Sequence, residues 1–161
     1  MIKRGSTHFL RLVILLIGLG VLALCIFALP SMWKGGSAEF PYAAQSVFLI
    51  IIGLYIAAIP FYVALWQSLK LLHYIDRNKA FSELSVKALK NIKNCAIGIT
   101  VIFIAFVPLL FPIAELDDAP GLIIFGMGIA GIPMTIAVFA AILERLLKSA
   151  IDIKSENDLT V

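Results

Sequence analysis

The residues with the most chemical promise in this chain cluster in one stretch, "AFSELSVKALKNIKNC" over 80–95. There Lys87, Lys90 and Lys93 recur on a three-residue beat. Ammonium groups so spaced suit anionic partners such as lipid headgroups or carboxylates, and no enzyme constellation gathers around them. The two histidines, His8 and His73, are far apart and belong to no H-x-x-x-H or Cys/His metal pattern. Glu115, Asp117 and Asp118 offer oxygen ligands, yet no twelve-residue calcium loop surrounds them, so an acidic loop kept in water is the favoured reading. Gly126-x-Gly128-x-x-Gly131 matches the dinucleotide-binding pattern, but no strand precedes it and its surroundings are apolar. Close helix packing on small residues is the better account. The chain is therefore read as non-enzymatic, with no catalytic, metal or cofactor site.

What must position the lysines is a membrane. Of the 161 residues 61% are hydrophobic and 14% charged, against about half and a quarter in a soluble domain. Four apolar runs, about 10–29, 43–69, 95–113 and 121–143, each approach or exceed the roughly 20 residues a spanning helix needs. The first has an h-region longer than a signal peptide's, and Leu24 spoils a lipoprotein box before Cys25. It reads as a retained span.

Twelve of the thirteen Lys and Arg fall on one side of this layout, leaving Lys34 on the other. They are Lys3, Arg4 and Arg11; Lys70, Arg77, Lys79, Lys87, Lys90 and Lys93; and Arg145, Lys148 and Lys154. The positive-inside rule then predicts cytoplasmic termini, so the net charge of +3 reports topology and not nucleic-acid binding. The expected fold is an all-α, four-span, up-down bundle of one domain over 1–161. Residues 70–94 form a cytoplasmic helical hairpin region and 144–161 a cytoplasmic tail. Cys25 and Cys95 sit toward opposite ends of it, too far apart for a disulfide.

No Asp, Glu, Lys, Arg or His lies in the middle of any run, which disfavours an ion-coupled carrier. Ser46, Thr100 and Thr135 are expected to bond between helices. Pro60 and Pro133 predict kinks, while the outer links "PSMWKGGSAEFPY" and "PIAELDDAPG" should break helices at their Pro and Gly.

On the inner side a helix is predicted over 43–76, about 50 Å long, followed by a "DRNKA" turn. Ser82 is placed to cap the next helix through its side-chain oxygen. Phe81 and Val86 have the spacing of a hydrophobic staple, and Glu83 can pair with Lys87. Val86, Leu89 and Ile92 make one stripe, and the lysines a second that overlaps it at Lys93. After the last span, Leu143, Leu146, Leu147, Ala150 and Ile151 continue an apolar face, with Glu144 and Lys148 paired on the opposite side.

The segment "IDRNKAFSELSVKALKNI" and the closing "SENDLTV" resemble the DUF2975 family of small bacterial four-span membrane proteins. The resemblance rests on Phe81, Ser82, Val86, Leu89, Ile92 and Asp158-Leu159-Thr160. It implies residence in the bacterial inner membrane and, because such genes often neighbour one for a very small helix-turn-helix regulator, a cytoplasmic DNA-binding partner. The expected function is a regulatory or sensory membrane partner of that regulator. Phe81, Ser82, Lys87, Lys90, Lys93, Leu146, Leu147, Asp158, Leu159 and Thr160 would dock the partner or lipid. A transport or efflux component for an apolar substrate, gated at Pro60 and Pro133, and a structural lipid-binding protein are the alternatives.

Overall fold

A computed structural model describes residues 4–160; Lys3, Val161 and the Arg4 side chain, used in the charge and tail readings, lie outside the described residues. Every described element is helical. The chain opens with α1 (Arg4–Ala23), passes through a π-turn at Leu24–Ala28 and continues as α2 (Leu29–Glu39). The link between the first two spans therefore does not break at Pro30, Gly35 or Gly36, contrary to expectation. The π-turn explains why. Leu29 donates its N–H five residues back, to the Leu24 carbonyl, and Pro30 has no N–H to give. That leaves the Cys25 carbonyl without a backbone donor in either register, and the Tyr55 hydroxyl donates to it at 2.7 Å. Gly36 lets α2 lie close to the next helix, since a Cβ there would stand 3.0 Å from Val47.

A short 3₁₀ turn, Pro41–Ala43, leads into α3 (Ala44–Asp76). At 33 residues it spans about 50 Å, with Pro60 inside an unbroken helix. It ends as a Schellman turn: Asn78 adopts φ 57°, and Lys79 donates its N–H to the Tyr74 carbonyl at 2.8 Å. Asn tolerates that left-handed conformation because its short polar side chain bonds locally. The next helix, α4 (Glu83–Leu116), ends in the same way, with Asp118 at φ 49° and an Ala119 N–H bond to the Ala114 carbonyl. The last, α5 (Gly121–Leu159), runs 39 residues and carries what was expected to be tail.

The helices run up and down and pack in series: α1 and α2 on α3, α3 on α4, α4 on α5. The α4–α5 seam is built from small side chains. Ala130, Pro133, Ala137 and Ala140 of α5 are buried, as are Ala96 and Thr100 of α4. In the same seam Gly126 meets the Leu110 side chain, and between α3 and α4 Gly53 meets the Phe106 ring, contacts that a Cβ would obstruct. Gly128 and Gly131 have open space, so of that glycine motif Gly126 alone serves close packing. Thr100 and Thr135 bond the carbonyls of Ala96 and Gly131 in their own helices, not a neighbour. A small hydroxyl in an apolar helix finds its nearest acceptor four residues back.

Large apolar side chains cover the outside: Phe9, Leu12, Leu16, Phe125 and Phe139 are all exposed. That inverts the water-soluble pattern. All four long helical segments, Gly5–Glu39, Pro41–Asp76, Glu83–Leu116 and Gly121–Leu159, are long and apolar enough to cross a bilayer.

Candidate functional site

The polar structure gathers at the end of the molecule where α3 turns into α4. Here the lysine beat divides. Val86 and Leu89 are buried and Ile92 is half-buried, which fixes the rotation of α4. Lys87 and Lys90 consequently point outward and are exposed, while Lys93 turns toward α5. Its ammonium lies 2.7 Å from the Glu144 carboxylate.

Glu144 is only 6% exposed, so it does not sit on the polar side of α5 as its pairing with Lys148 had suggested. It follows Ala130, Ala137 and Ala140 at successive spacings of seven, three and four residues, and so continues the stripe buried against α4. Lys148 still reaches it, at 3.2 Å one turn on. One carboxylate thus accepts from two ammonium groups, one on each side of a helix–helix seam. Glu144 lies beyond the apolar run 121–143. There the hydrogen bond from Lys93 holds its carboxyl below the usual carboxylate range, against the opposing effect of burial, with Lys148 adding in the same direction.

The apolar face of α5 is rotated by this burial. Leu143 and Leu146 are exposed, whereas Leu147, Ala150 and Ile151 are half-buried. Ser82 occupies the N-cap position with extended backbone, but its hydroxyl donates to the Lys79 carbonyl at 2.7 Å instead of accepting from the helix. Ser85, fully buried, donates to the same carbonyl at 3.2 Å. The two serines together close the turn at 77–82. No ion pair joins Glu83 to Lys87 among the described residues. Phe81 is 60% exposed and lines a groove with Ala150, Ile153, Lys154 and Asp158 of α5. Leu159 and Thr160 lie beyond that groove, Leu159 exposed and the Thr160 hydroxyl bonded to the Asn157 carbonyl.

Two features went unread in the sequence. Arg11 of α1 pairs with Asp76, the last residue of α3, at 2.6 Å. Ser85 is a second hydroxyl on the turn, signalled only by its place three residues after Ser82. Among the described residues, no group of three His, Cys, Asp or Glu side chains converges to hold a metal, and both cysteines are free thiols.

The structure therefore brings Phe81 and Lys93 together with the α5 extension, keeps Ser82 within the α3–α4 turn, and leaves Lys87 and Lys90 on the surface beside them. Comparison with known proteins agrees with the architecture. A family model described as "Protein of unknown function (DUF2975)" matches residues 32–161, which takes in all of α3, α4 and α5. The chain is similar to the "Uncharacterized membrane protein YoaS" of Bacillus subtilis (strain 168), with 55% identity over 159 residues, 99% of each chain. No solved structure matches it. With its long apolar helices and a family match over most of its length, this chain is a membrane protein that belongs to the DUF2975 family.

Proposed function

We propose that the protein is a non-enzymatic regulatory partner of a small cytoplasmic helix-turn-helix protein, which docks on the lysine-bearing end. The chain sits in the bacterial cytoplasmic membrane with both termini inside, as the bias of its Lys and Arg supports. One observation carries the docking: Lys87 and Lys90 stand exposed on a helix immobilised on its other faces. Ser85, Val86, Ala88 and Leu89 are buried beneath them, and Lys93 is anchored to Glu144. Such a surface loses little conformational entropy when a partner binds. The Phe81 groove beside it offers an apolar contact, and α5 presents Asp158, Leu159 and Thr160 at its tip.

The test is co-purification of the tagged membrane protein with any small helix-turn-helix regulator encoded beside its gene. Binding is expected to weaken about tenfold or more in Lys87→Gln/Lys90→Gln and in Phe81→Ala, as truncation at a docking anchor does. Undiminished binding by both variants, and after removal of residues 152–161, would overturn the named surface. Absence of any association overturns the regulatory reading itself.

A further inference from the structure

The seam between α1 and α3 is unlike the others. These helices meet through two polar ties, Arg11 to Asp76 at 2.6 Å and the Tyr62 hydroxyl to the Gly18 carbonyl at 2.8 Å, and the π-turn that follows α1 adds a third to α3, the Tyr55 hydroxyl to the Cys25 carbonyl at 2.7 Å. Gly18 marks the closest approach, where a Cβ would stand 3.2 Å from Leu65. Around that crossing the helices leave an apolar groove of about 250 Å³. Leu15, Leu19 and Leu22 form one wall and Tyr62, Leu65 and Trp66 the other. The groove runs along α1 from Ile14 to Leu22, roughly 12 Å at 1.5 Å per residue. Its Tyr62 hydroxyl is already committed to Gly18, so what it offers an occupant is hydrocarbon surface and the Trp66 side chain, whose indole N–H is a donor.

The end nearer the Arg11–Asp76 tie carries a cation. Lys70, one residue past the groove-lining Leu69, holds its ammonium 5.8 Å from the centre of the Trp66 ring. It is exposed and makes no ion pair among the described residues, whereas Arg11 and Asp76 neutralise one another. Within a bilayer an apolar groove takes up a lipid tail, and an unpaired ammonium at its mouth favours an anionic phosphate. We propose that this groove binds one acyl chain of an anionic phospholipid, with Lys70 and the Trp66 indole N–H at the phosphate. The Tyr62–Gly18 bond and the Arg11–Asp76 pair tie the two walls to one another and fix their spacing. The inference is independent of regulator docking.

Trp66 is itself the reporter. With Trp33→Phe, Trp66 is the sole tryptophan, and the protein is reconstituted in phosphatidylcholine vesicles with increasing brominated phosphatidylglycerol. Quenching is expected to saturate at low mole fraction, with a roughly fivefold preference over brominated phosphatidylcholine, the contribution of one lysine near an anionic headgroup. Lys70→Gln should abolish that preference while quenching by the chain persists. Leu19→Phe, which fills the groove, should leave only quenching proportional to bromolipid content for both headgroups. Proportional, headgroup-independent quenching before either change would overturn the site, as would an unaltered preference in Lys70→Gln.

Discussion

Replacing Lys93 and Glu144 singly and together measures whether the α4–α5 seam is locked by charge. The side chains of Glu144, Lys93 and Lys148 are 8%, 25% and 54% exposed. Removing one partner of a fully buried ion pair costs about 3–5 kcal/mol, because the other charge is left desolvated. Two features lower that figure here. After Lys93→Met, Glu144 keeps Lys148; after Glu144→Met, the Lys93 ammonium can follow its stem toward water. Each single change should therefore cost about 1–2 kcal/mol, below the fully buried case. Lys148→Gln removes only an exposed pair one turn apart and should cost about 0.3–0.5 kcal/mol. The double variant Lys93→Met/Glu144→Met replaces the pair by two side chains of similar volume, a swap that is often nearly neutral. The cycle should then show a coupling of about 2–4 kcal/mol, the sum of the two single costs, read from unfolding in mixed micelles titrated with SDS. Single-variant costs that add to within about 0.5 kcal/mol would refute the lock.

The same lock has a pH signature. The folded Glu144 carboxyl is held below its ordinary value of 4.5. Its contribution to stability is therefore complete above that value and is lost as pH falls through the lower, folded value. Acid titration should destabilise the natural chain below about pH 4.5 more than it does Lys93→Met/Glu144→Met. Equal acid sensitivity in the two proteins counts against the assignment.

Three further outcomes follow from packing and backbone geometry. Gly53→Val should displace the Phe106 ring and cost about 1–3 kcal/mol in the same micelle assay, with Phe106→Ala restoring part of the loss. Gly128→Ala, which meets nothing, is the matching control. Tyr55→Phe leaves the Cys25 carbonyl unpaired in an apolar setting and should cost about 1–3 kcal/mol. In the Pro30→Ala background, where a backbone N–H returns to that turn, the loss should shrink. Asn78→Val forces a β-branched side chain into a φ of 57° and should cost about 1–2 kcal/mol, whereas Asn78→Gly should be neutral or stabilising.

Features encoded locally were readable from residue order, and those that depend on a neighbouring helix were not. The predicted helix 43–76 is observed as Ala44–Asp76, because the turn after it is written in adjacent residues that close on themselves. Ser82 likewise precedes a helix as expected, although Lys79 competes for its hydroxyl. Pro30 and Gly36 misled because Tyr55 and Val47, on another helix, settle what those residues do. Pairing Glu144 with Lys148 was sound as far as it went. The larger fact, burial against Lys93 on α4, follows from extending the small-residue stripe one step past the apolar run. The overlap of Lys93 with the apolar stripe was legible, but sequence spacing alone does not say that α5 covers that face.

In a bilayer, apolar area does little to drive helices together, since lipid tails are as apolar as leucine. What orders this row must therefore differ from seam to seam. Small side chains bring α4 and α5 close, glycine admits Phe106 between α3 and α4, and α1 with the π-turn after it depends on three polar ties to α3. Two ion pairs stand at one end, Arg11–Asp76 joining α1 to α3 and Lys93–Glu144 joining α4 to α5. Between them the α3–α4 turn is closed by Ser82 and Ser85 on the Lys79 carbonyl. All four long helical segments are thus tied together at the end that carries Lys87 and Lys90. Lys93 supplies the fixing, and the other two lysines inherit a rigid base. If that is so, loosening the base with Lys93→Met should weaken regulator docking even though Lys87 and Lys90 are untouched.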